Sequence, residues 1–169
     1  MVTGIRSYLA AAGVDVAHET EKGNLVLSSD TGHLPNSNFD GERMLTLLEQ
    51  AVIQASKDGY VGLWATGDMT WECGGEKDFM KILEYEWGLE ELFRRQPNLN
   101  GVCQYHMDTL PAEISRQALI AHQAIFVNET LSRVNPYYVP LESFSGKLPN
   151  LAEVKDALAL LGQEGTSKT

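Results

Sequence analysis

Apolar positions along this chain fall into blocks that switch between the 3.6-residue period of a helix and short continuous runs of strand length. Between Asp40 and Asp58, Met44, Leu45, Leu47, Leu48, Ala51, Val52 and Ala55 share one broad face, and Asp58-Gly59 stops it. That pattern predicts an amphipathic helix. The run Tyr60-Val61-Gly62-Leu63-Trp64 follows and ends at Gly67-Asp68, which predicts a strand buried on both faces. A helix is then expected from about Glu76 to Arg95, closed by Pro97, and a second strand over Gly101–His106. Thr109-Leu110-Pro111 opens a further helix running to about His122, and Ala124–Val127 reads as a last strand.

The two ends are less regular. Thr3–Gly13 reads as a short helix with Ile5, Tyr8 and Leu9 on one face, Val14–Val16 as an extended piece, and Leu25–Leu27 as a short strand. Asp30–Asn38 is loop, and His33 in it is expected to be exposed. Arg133–Pro149 holds several prolines and an Asn-Pro-Tyr-Tyr sequence and is expected to be irregular. Asn150 caps a final amphipathic helix through Leu161, ahead of a polar tail expected to be disordered. Helices alternating with short apolar strands predict an α/β layered domain, with a mostly parallel sheet flanked by helices. The expected organisation is one domain over 3–140, a linker and helix over 141–161, and the tail 162–169.

Composition narrows the function classes. The 169 residues suffice for a packed core, and no apolar run approaches the roughly 20 residues of a membrane span. Two cysteines are too few for a disulfide scaffold, no signal peptide is visible, and a cytoplasmic setting is expected. A net charge of −10 argues against direct contact with nucleic acid. Ser167-Lys168-Thr169 has the wrong spacing and context for a phosphate-binding loop, and no Gly-rich nucleotide fingerprint follows any strand. No cofactor is expected.

Candidate chemistry collects at three segments: the end of the first strand with Asp68, Trp71, Glu72 and Cys73; the helix carrying Glu84, Tyr85, Glu86 and Trp87; and Gly101–Asp108. In parallel sheets ligands bind outside the carboxyl ends of the strands, which is where the first and third segments would lie. Ile82, Tyr85 and Leu89 are spaced for one buried helix face, which puts Glu86 at its flank. A metal set of Cys103, His106 and His122, with Cys73, has suitable residue types. Residues three apart in a strand point to opposite faces, however, so Cys103 is expected to be a packed thiol. Nothing forms a nucleophile–base–orienter set. Trp64 is expected in the core, whereas Trp71 fits core or ligand lining equally well.

Gly-Leu-Trp-Ala-Thr-Gly-Asp-Met-Thr-Trp at 62–71, Leu-Glu-Tyr-Glu-Trp-Gly-Leu-Glu-Glu-Leu at 83–92, Gly-Val-Cys-Gln-Tyr-His-Met-Asp at 101–108 and the later Ala121-His122 resemble, in order and spacing, the MEDS domain, the methanogen/methylotroph sensory domain. The likeness runs from about Ile5 to Pro140. It implies a sensory module of transcription regulators and signalling kinases that recognises small hydrocarbon-derived ligands. The implied fold is RecA- and KaiC-like in outline, without the ATPase chemistry. It places the family's motif positions on Gly67, Asp68 and Trp71, on Tyr85 and Glu86, on Cys103, Gln104 and Tyr105, and on His122. The family often has Glu in place of Asp68, Asp in place of His106, and Pro in place of Gln123. Its members usually open on a strand and helix that this chain lacks, so an N-terminally truncated fold is expected, with a sheet edge that a homodimer would cover. The expected ligand lining is Asp68, Trp71, Glu72, Tyr85, Glu86, Cys103, Tyr105 and His122. The alternatives are a metal- or carboxylate-dependent hydrolase-like enzyme and a protein-interaction scaffold.

Overall fold

The computed structural model describes residues 2–28, 39–69, 79–106, 109–128 and 131–163. The chain divides into two compact units, 1–40 and 41–169.

The first unit is two helices, α1 (Val2–Ala11) and α2 (Val16–Glu21). Gly13 takes the left-handed φ of 89°. There its N–H reaches the Ala10 carbonyl while the Val14 N–H reaches that of Leu9, the paired closure that ends a helix on glycine. Asp15 then caps α2 by accepting from the His18 N–H at 3.1 Å. Val16, expected to be extended, is therefore helical, and Leu25–Leu27 forms no strand. Val26 is 81% exposed between the half-buried Leu25 and Leu27, and the run pairs with no strand among the described residues.

The second unit is mixed α/β. Helix α3 (Gly41–Lys57) leads to strand β1 (Leu63–Asp68), α4 (Phe79–Arg95) to β2 (Leu99–Gln104), and α5 (Ala112–Ala121) to β3 (Ala124–Asn128) and β4 (Leu131–Val134). A short 3-10 turn at Leu141–Ser143 precedes α6 (Leu151–Gln163). Strands β1 and β2 pair in parallel, with Leu63 opposite Leu99 and Asp68 opposite Gln104. β3 and β4 form a separate antiparallel pair, with a bulge between Phe126 and Asn128. β4 lies partly in the stretch expected to be irregular. No helix among the described residues is long and apolar enough to cross a membrane.

Burial explains which faces meet. Val52 of α3, Leu92 of α4 and Leu99 of β2 form one core cluster, with Leu63 and Ala65 of β1 packed against it. The other face of β1 is open: Trp64 is 74% exposed and Val61 95%. Among the described residues the strand is therefore covered on one face rather than two, and Trp64 is not a core residue. Val61 precedes the paired segment, and Trp64 alternates along the strand with Leu63 and Ala65, which pack against the core cluster.

Helix α4 is the centre of the unit. Ile82, Leu83, Tyr85, Glu86, Trp87, Leu89 and Leu92 are all buried, so most of its circumference is packed. Leu83 and Trp87 meet Ile120 and Ala121 of α5. The Trp87 indole N–H donates to the Val139 carbonyl at 2.9 Å, and its ring lies 5.1 Å from that of Phe144. Asn150 caps α6 by a reciprocal box, accepting from the Glu153 N–H at 2.9 Å while its own N–H donates to Glu153 Oε2 at 2.8 Å.

Candidate functional site

Glu86 is the most unusual residue of the described chain: a carboxylate only 1% exposed, on the helix that α3, α5 and β2 pack against. The apolar spacing of Ile82, Tyr85 and Leu89 put it at the flank of a buried face. It lies inside because α4 also receives β2 and α5. An isolated carboxylate there would be strongly disfavoured, so its partners decide what it can do.

Three side chains supply them. Cys103 on β2 and Tyr105, two residues on and just past the strand end, project to the same side, as the two-residue period of a strand requires. The Tyr105 hydroxyl donates a short hydrogen bond to Glu86 Oε1. The Cys103 thiol stands 3.7 Å from Oε2. His122, the residue that ends α5 in an extended conformation, brings Nε2 to 3.1 Å from the same Oε2. Its ring meets that of Tyr105 edge-on, with centroids 5.7 Å apart.

The His122 tautomer follows from its other nitrogen. Nδ1 lies 2.9 Å from the Ala118 carbonyl, which can only accept, so Nδ1 carries a proton. Nε2 is enclosed and faces Glu86 as an ion pair without in-line hydrogen-bond geometry. Burial alone would lower the His122 pKa. The Glu86 carboxylate, the Ala118 carbonyl and Glu90 outweigh it and raise the value from 6.5 to about 9. With one nitrogen committed to Ala118 and the other to Glu86, no imidazole nitrogen remains to activate Cys103, so the cluster is not a thiol–histidine–acid line.

A second layer fixes His122. Asn135, itself buried, donates through Nδ2 to the carbonyls of Leu119 and, at 2.7 Å, His122. Its Oδ1 accepts from the Tyr137 N–H at 2.9 Å. Glu90, one turn after Glu86 on α4, accepts from the Gln123 N–H at 3.1 Å. Burial raises the Glu90 pKa, against the lowering effect of that N–H and of His122. A proline at 123 would have no N–H to offer. Neither Asn135 nor Glu90 stood out in the sequence: an Asn-Pro pair reads as loop, and one more acid on a helix reads as solvated.

The remaining nominated residues separate. Asp68 and His106, both at the carboxyl ends of the parallel pair, stand 3.5 Å from one another. They are neighbours across the ends of the two paired strands. His106 thus leaves the metal set considered from sequence, and Glu86 takes that place: a Glu86 oxygen, Cys103 Sγ and His122 Nε2 lie within 4.8 Å of one another. Tyr85 is buried on α4. Trp71, Glu72 and Cys73 fall outside the described residues. A separate cleft of about 640 Å³ is lined by Met80, Arg116, Gln117, Phe144, Leu148 and Asn150. The Arg116 guanidinium there is committed to the Pro149 and Leu148 carbonyls and to Glu113.

The profile of the MEDS family, the MEthanogen/methylotroph, DcmR Sensory domain, matches residues 1–123, a span that contains Glu86, Cys103, Tyr105 and His122. No curated protein and no solved structure matches the chain.

Proposed function

We infer a role from one premise: the chain belongs to the MEDS family of sensory domains. We propose that it senses by binding a small organic molecule, hydrocarbon-derived and with one polar end, and that this end is held by Glu86, Tyr105 and His122. The observation that carries the reading is the enclosed Glu86 carboxylate, ringed by a hydroxyl, a thiol and a histidine at the carboxyl edge of a parallel strand pair. Buried ionisable clusters tend to cost stability rather than add it, and they concentrate at functional sites. The location fits the rule that open parallel sheets bind ligands beyond their strand ends.

The apolar body of the ligand would lie toward Asp68, at the carboxyl end of β1. Signalling to a transcriptional or kinase output requires only that the ligand favour one of two domain arrangements. The activity is binding rather than turnover, because His122 is spent on Ala118 and Glu86. Isothermal titration of the full chain against short alcohols, carboxylates and halogenated hydrocarbons tests this reading. Saturable binding of one class, weakened at least tenfold in Tyr105→Phe, is expected. Heats that are absent throughout, or unchanged in Tyr105→Phe and Glu86→Gln, would contradict it.

A further inference from the structure

The Glu86–His122 contact poses a problem of charge. With Nδ1–H given to the Ala118 carbonyl, a neutral His122 presents the Nε2 lone pair to Glu86 Oε2 at 3.1 Å, so two acceptors face each other in an enclosed site. That arrangement is repulsive unless something positive lies between them. A proton on Nε2 is one answer and a metal ion is the other.

We propose that Glu86, Cys103 and His122 form a binding site for a zinc-class divalent cation. The donor set is a carboxylate oxygen, a thiolate sulfur and an imidazole nitrogen, which suits zinc rather than magnesium or calcium. In a tetrahedral site with bonds of about 2.0–2.3 Å, neighbouring donor atoms stand roughly 3.3–3.8 Å apart. Here Nε2 to Oε2 is 3.1 Å, Sγ to Oε2 is 3.7 Å, and all three donors lie within 4.8 Å of one another. Small side-chain rotations therefore close the set.

The surroundings are also those of a metal site. Tyr105 holds Glu86 Oε1, which leaves Oε2 to bind through a single oxygen. The Ala118 carbonyl fixes the His122 tautomer with Nε2 directed at the other two donors. Such outer partners orient ligands at metal centres. Three protein donors leave a fourth position for water or for a small oxygen-bearing molecule. The site shares its residues with the ligand site proposed above but is tested apart from it, since metal binding is read with no organic molecule present.

The test uses the full chain, stripped of metal by a chelator and then titrated with Co²⁺ as the spectroscopic stand-in for Zn²⁺. Expected is one Co²⁺ per chain, with tetrahedral visible bands and a thiolate charge-transfer band displaced by Zn²⁺. The charge-transfer band should vanish in Cys103→Ser and survive in His106→Ala, with far-UV circular dichroism confirming that both variants fold. In the unaltered chain, Zn²⁺ should slow alkylation of Cys103 at least tenfold. Absence of the charge-transfer band, its survival in Cys103→Ser, or alkylation of Cys103 at the same rate with and without Zn²⁺ would each overturn the proposal.

Discussion

In the metal-free chain the proton between His122 and Glu86 should make stability depend on pH in a defined window. His122 has its pKa raised from 6.5 to about 9, chiefly by Glu86 against the opposing effect of burial. The rise corresponds to on the order of 3 kcal/mol of differential stabilisation of the imidazolium in the folded state. Because the folded pKa lies above the unfolded one, this stabilisation is complete below pH 6.5. It is lost as pH rises toward 9, where the folded state also releases the proton. Little of it should be screened, since the side chain is only 20% exposed and its partner 1%.

Replacing Glu86 by Gln removes the charge and keeps the shape. Burial then acts on His122 without its counter-ion, and its pKa should fall to 6.5 or below. The assay is the His122 ring-proton titration by NMR, with urea unfolding at pH 6 and pH 9.5 in chelator. The unaltered chain should titrate near 9 and lose roughly 3 kcal/mol between those pH values from this group, a loss absent from Glu86→Gln. A His122 midpoint at or below 6.5 in the unaltered chain would refute the reasoning.

Other consequences follow from packing. Asn135→Ala strands the buried Leu119 carbonyl and two part-buried backbone groups, at His122 and Tyr137, and should cost about 1–3 kcal/mol in urea unfolding with an unchanged denaturant slope. A Cβ at Gly62 would collide with the Asn98 backbone carbonyl, whereas one at Gly88 would meet the movable end of Leu45 at 2.5 Å. Gly62→Ala should therefore lower stability by about 2 kcal/mol or more, and Gly88→Ala by less, since helix propensity returns close to 1 kcal/mol at that position. Equal losses would contradict the assignment. Trp64→Ala should change stability by no more than about 0.5 kcal/mol, as befits an exposed side chain. A loss above 2 kcal/mol would mean that this face is covered.

What could be read from the sequence, and what could not, divides along physical lines. Helix α3 and its glycine stop were legible because seven apolar residues share one 3.6-period face and Asp58-Gly59 follows. The Gly59 N–H to Ser56 and Tyr60 N–H to Ala55 bonds are the closure that this pair predicts. The Asn150 cap was legible for the same local reason. The parallel pairing of β1 with β2 was legible from the alternation of helix and strand. The exposure of Trp64 was not, because a run of apolar residues does not say how many faces are covered.

At the site, the two-residue strand period separates Cys103 from His106, and the structure places them at different partners. The same period puts Cys103 and Tyr105 on one side, where both meet Glu86. The depth of Glu86 was not legible. Helical spacing marks one buried face, and only the packing of β2 and α5 on α4 closes the remainder. Asn135 lay hidden because its work is done on backbone carbonyls of α5, and such long-range bonds leave no local pattern.

The central claim is that the Glu86 cluster holds the polar end of a small organic ligand. Native mass spectrometry of gently purified full chain, beside Glu86→Gln prepared in parallel, tests it most directly. A co-purified organic mass on the unaltered chain that is absent from a folded Glu86→Gln is the predicted result. An empty unaltered chain, or the same mass on both proteins, would contradict it.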